Sequence, residues 1–178
     1  MKKNLIILFL MITFSIKAFA LIEVDITRGN LNPLPLAVSP LSIDDKSKTS
    51  FEKILKKENI GSEISIIVEN NLRTSGLFNP ISKDAFLQAP DIANLKPRFE
   101  DWNLIKAQAL ITGKVTYVNE KLRVEFRLWD ILAAKEMMAL AFTTVPSNWR
   151  RVGHIISDKV YERLTGEKGY FDTRIIYV

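Results

Sequence analysis

The chain has 178 residues with 25 basic and 20 acidic side chains, one histidine and no cysteine. The missing cysteine excludes disulfides, thiolate catalysis, sulfur-ligated metals and a lipid anchor on sulfur. The pI of 9.4 points towards nucleic acid, but three lysines and no acid lie in the first twenty residues. That leaves 22 basic against 20 acidic groups, a net of +2, which is no footprint for a polyanion.

In chain order, residues 1–20 divide like a secretory signal. Lys2 and Lys3 form a basic start, residues 5–16 are apolar except for Thr13 and Ser15, and Ala18-Phe19-Ala20 has the small-x-small pattern of a cleavage site. A membrane anchor would need roughly 20 apolar residues, and this run is shorter. Cleavage is expected after Ala20, which leaves enough chain for one ordinary domain held together by its core.

Residues 21–26 alternate as a short strand, with Ile22, Val24 and Ile26 on one side and Glu23 and Asp25 on the other. Gly29 and residues 30–35 break it, and residues 36–38 suit a short buried strand. Residues 42–50 are polar and read as a surface loop, and residues 51–58 as a turn or two of helix with Lys53, Lys56 and Lys57 solvated. A stronger helix follows, capped by Ser62, with Ile64, Ile67, Val68 and Leu72 at helical spacing and Gly76 as its left-handed stop. Residues 81–100, punctuated by Pro90 and Pro97, read as loop with short ordered pieces, after which Asp101 caps a short helix through Trp102 and Ile105.

The clearest sheet signal is residues 107–128. Ala109, Ile111, Val115 and Tyr117 share a face, Asn119-Glu120 makes a tight turn, and Leu122, Val124, Phe126 and Leu128 alternate with charged residues. Residues 136–143 are apolar on both sides, which predicts a third strand that is central or covered. From Trp149 a helix places Trp149, Val152, Ile156, Val160 and Leu164 on one stripe and stops at Gly166. Residues 170–178 resume a strand pattern with no partner after it. The fold class expected is α/β (α+β): a mixed sheet containing an antiparallel hairpin, with helices packed on it.

Little in this pattern carries chemistry. His154 is expected to be exposed, one turn before Asp158. Without a second histidine or a cysteine, a zinc site would rest on carboxylates alone. No serine sits in a G-x-S-x-G elbow. Glu125 and Asp130 are expected on a wet strand face among arginines rather than as an acid/base pair. Gly166-Glu167-Lys168-Gly169 has the G-x-x-G spacing of a phosphate-gripping loop but follows a helix instead of opening one. Arg123, Arg127, Arg150 and Arg151 with Trp129 and Trp149 are interleaved with acids, and Trp149 suits a core anchor. No catalytic residue, metal or cofactor is expected.

Three stretches carry a resemblance: Ile22-Glu23-Val24-Asp25-Ile26-Thr27 with Gly29; Asn71-Leu72-Arg73-Thr74-Ser75-Gly76-Leu77-Phe78-Asn79-Pro80; and Trp149-Arg150-Arg151 through His154 to Lys159, running into Tyr161-Glu162-Arg163-Leu164-Thr165-Gly166-Glu167-Lys168-Gly169-Tyr170-Phe171. Together they resemble the N-terminal domain of the TolB family, periplasmic components of the Tol-Pal system. The resemblance implies a signal peptide over residues 1–20, an α/β domain over residues 21–165, and a linker with the first strand of a truncated β-propeller over residues 166–178. The charged stretch 44–57 looks longer than is usual in that family. The resemblance also implies a non-enzymatic periplasmic adaptor that links inner- and outer-membrane components through protein contacts, for envelope integrity, protein transport and cell division. Its N-terminal strand (Leu21, Ile22, Glu23, Val24, Asp25, Ile26) would engage a TolA-like inner-membrane protein by strand addition. A Pal-type lipoprotein would bind only if a propeller is supplied. No nucleic acid and, after cleavage, no integral membrane segment are expected. Two alternatives stay open: a truncated or split remnant without full function, and a stand-alone periplasmic ligand-binding module, which would need a concave polar pocket.

Overall fold

In the computed structural model, residues 32–173 are described. The expected signal peptide, the strand at residues 21–26 and most of the terminal strand pattern lie outside the described residues. The expected buried strand is there as β1 (Leu34–Val38). It runs parallel both to β3 (Phe78–Pro80) and to β4 (Ala109–Val118). β4, β5 (Lys121–Asp130) and β6 (Lys135–Thr144) form an antiparallel meander. The six-stranded sheet is ordered β3-β1-β4-β5-β6, with the two-residue β2 (Ser42–Ile43) pairing β4 off this path. This is the mixed α+β sheet with an antiparallel hairpin that the sequence pattern implied.

The hairpin turns at Asn119 and Glu120, whose φ values of 50° and 60° are both positive. That is the two-residue connection whose twist matches the strands. Leu122, Val124, Phe126 and Leu128 along β5 are all buried, so the strict alternation did mark one core face. On that face lie α1 (Asp45–Leu55), α2 (Ile60–Thr74) and α5 (Trp149–Thr165). The α5 stripe of Trp149, Val152, Ile156, Val160 and Leu164 is buried as its spacing implied, and Gly166 ends the helix at φ 75°. The opposite face of the sheet presents Ala37, Leu110 and Trp129 to a smaller cluster with Trp102 and Ala93. The short helices α3 (Pro90–Leu95) and α4 (Phe99–Leu104) carry that cluster.

Four expectations need correction. Residues 42–50 are not a loop. Asp44 caps α1 by accepting from Ser47 N at 2.9 Å and from Ser47 Oγ at 2.8 Å, while Ser47 Oγ accepts from Tyr117 N at 2.8 Å. One buried serine and Phe51, edge-on to Tyr117 at 5.4 Å, thus tie an otherwise polar helix to the end of β4. The cap of α2 is Asn59 rather than Ser62: its side chain accepts from Ser62 N at 3.1 Å, and the helix starts earlier than hydropathy alone indicates. Asp101 sits inside the first turn of α4, where its carboxylate accepts from Arg98 Nε at 2.8 Å and from Gln88 Nε2 at 2.9 Å instead of capping the helix. Finally, β6 is neither central nor covered on both faces. Among the described residues it pairs only with β5 and forms one edge of the sheet, half-exposed along much of its length.

Candidate functional site

The described chain enters β1 with Leu34 N donating to Leu77 O at 2.9 Å. The residues expected to meet a partner, 21–26, precede this point and lie outside the described residues.

His154 is not free in solvent. It lies half-buried where α5 crosses α2, and Asn71 Nδ2 donates to its Nδ1 at 2.9 Å. The same amide donates to Ser157 Oγ at 2.9 Å, and Ser157 Oγ donates to Gly153 O at 2.9 Å. Gly153 allows this close crossing, because a Cβ there would stand 2.8 Å from Ile67 Cγ2. Ser157 therefore gives its proton to a helix carbonyl, and its pairing with His154 through Asn71 is a packing contact between helices rather than an activated nucleophile. Helix spacing alone put His154 outside the apolar stripe; α2, packing beside it, covers that flank.

Asp158, expected beneath His154, does something else. Its two oxygens accept from Phe171 N at 2.7 Å and from Asp172 N at 3.1 Å. Arg151 grips Asp172 with both Nε and Nη2 at 3.1 Å, and the Arg151 pKa is held up by those bonds and the Asp172 charge. The Tyr161 ring meets Tyr170 at 5.4 Å and Phe171 at 5.9 Å, both edge-on; burial pushes the Tyr161 hydroxyl pKa up. Gly169 passes so near α5 that a Cβ would fall 2.4 Å from Asp158 Cα. The G-x-x-G stretch thus ends a helix and lays the following segment back along it, a latch that holds residues 170–172 against α5. Sequence reasoning missed the role of Asp158, although Gly169 eleven residues further on could have signalled a close backbone approach.

The wet face of the sheet is neutralised within itself. Arg123 Nε donates to Glu125 at 2.9 Å, Lys114 lies 3.5 Å from the same carboxylate, and Arg127 pairs with Glu136 at 3.3 Å. The Arg123 hydrogen bond and the Lys114 charge hold the Glu125 carboxyl below its usual range. Asp130 does not share this face. It is buried and accepts from Ala133 N at 2.8 Å, shaping the turn into β6, which corrects its expected position. Trp149 is a core anchor as expected, its ring covered by the Arg150 guanidinium at 4.5 Å and by Lys57 Nζ at 5.2 Å.

Among the described residues, no three His, Asp or Glu side chains stand together as a metal set, and no helix is long and apolar enough to cross a membrane. An open depression beside the end of α1 is lined by Thr49, Glu52 and Lys53 on the helix and by Lys56 and Glu58 just past it, all exposed.

The comparisons agree with this architecture. The family described as the TolB amino-terminal domain matches residues 22–137. The Tol-Pal system protein TolB of Pelagibacter ubique (strain HTCC1062) is 84% identical over 176 residues, which is 99% of this chain and 39% of that protein. The crystal structure of TolB from Acinetobacter baumannii shares the fold with a TM-score of 0.60 at 23% identity, covering 79% of this chain and 30% of that one. The chain therefore spans well under half the length of these relatives, and within that span it belongs to the TolB amino-terminal domain family.

Proposed function

We propose that this chain serves as a non-enzymatic periplasmic adaptor of the Tol-Pal system, with residues 21–26 as its docking strand for a TolA-like inner-membrane protein. The observation that carries the reading is the 84% identity, along nearly the whole chain, to a protein named as a Tol-Pal component. Two features support it. The polar groups at the α2–α5 crossing and on the wet face are engaged in packing and ion pairs, leaving no organised acid, base or nucleophile among the described residues. The segment ahead of β1 also has the strict apolar/acidic alternation that a strand needs when it adds to another sheet.

In this reading an export signal at residues 1–20 is removed after Ala20, so that cleavage frees the docking strand at the new N-terminus. The adaptor links inner and outer membranes during envelope maintenance and division. A Pal-type lipoprotein is reached through a propeller and not through this domain. The test is titration of a peptide of residues 21–27 into the isotope-labelled C-terminal domain of TolA. Chemical-shift changes along one edge of its sheet are expected, and an unshifted spectrum rejects the docking strand.

A further inference from the structure

We draw no further inference here: the strongest candidate, the β6 edge of the sheet past the register shift at Met137, is open only among the described residues, and nothing in the structure shows what covers it.

Discussion

Replacing Asp158 by alanine should release the segment that follows α5 without unfolding the domain. The carboxylate accepts two backbone N–H bonds, from Phe171 at 2.7 Å and Asp172 at 3.1 Å. Sheltered bonds to a charged acceptor contribute about 1.5–3 kcal/mol each. Asp158 is only half-buried and solvent screens its charge, so each bond falls below that range at about 1 kcal/mol, and the pair sums to about 2 kcal/mol of local stability. At 1.36 kcal/mol per decade, hydrogen exchange of the Phe171 and Asp172 amides should accelerate about thirtyfold. Protection of amides in β4, β5 and the middle of α5 should stay unchanged, because the side chain lies outside the apolar cluster. Gly169→Ala reaches the same outcome by a different route, pressing a methyl group against Asp158 while leaving the carboxylate intact. Exchange at Phe171 that is as slow in both variants as in the parent would refute the latch.

Two further outcomes follow from the packing. Asp44→Ala removes the cap of α1 and should cost about 1 kcal/mol at neutral pH, read as a drop of about 3 °C in Tm. Its hydrogen bonds from Ser47 hold the Asp44 carboxyl below its ordinary value of 3.8. The cap's contribution is therefore present above that value and lost as pH falls through the lower folded value, so parent and variant should converge in strongly acidic solution. Phe126→Ala empties the centre of the main core, buried between Phe142 and the helical layer. It should destabilise by about 3–5 kcal/mol in chemical denaturation, with the parent chain unfolding in one cooperative transition. A broad, non-cooperative melt of the parent would instead favour the remnant reading.

What the sequence made legible was whatever is written in local periodicity. The β4–β5 hairpin shows alternation along both strands and a turn with two positive-φ residues. The α5 stripe repeats five times before its glycine stop. Elements whose order depends on a few distant contacts were harder to see. α1 buries only Ser47 and Phe51, so no apolar stripe announces it, and its stability comes from a cap and a hydroxyl bonded across to β4. The composition of β6 suits a central strand as well as an edge, and sheet order is set by the chain's path rather than by the strand itself. His154 and Asp158 share a helix face, but their partners come from α2 and from the segment after Gly169, which helix geometry on α5 alone cannot supply. The resemblance carried by residues 71–80 and 161–171 identified the domain family, while the partner strand it implied falls outside the described residues.

The adaptor reading is tested most directly by binding of the TolA C-terminal domain to two versions of this chain, one beginning at residue 21 and one at residue 28. Both contain every described element, so each should show the same circular dichroism and melt. In calorimetric titration the longer chain should bind, and the shorter should lose at least a hundredfold in affinity, because strand addition depends on the backbone groups of residues 21–26. Equal affinity of the two chains, or no binding by either, would contradict the assignment.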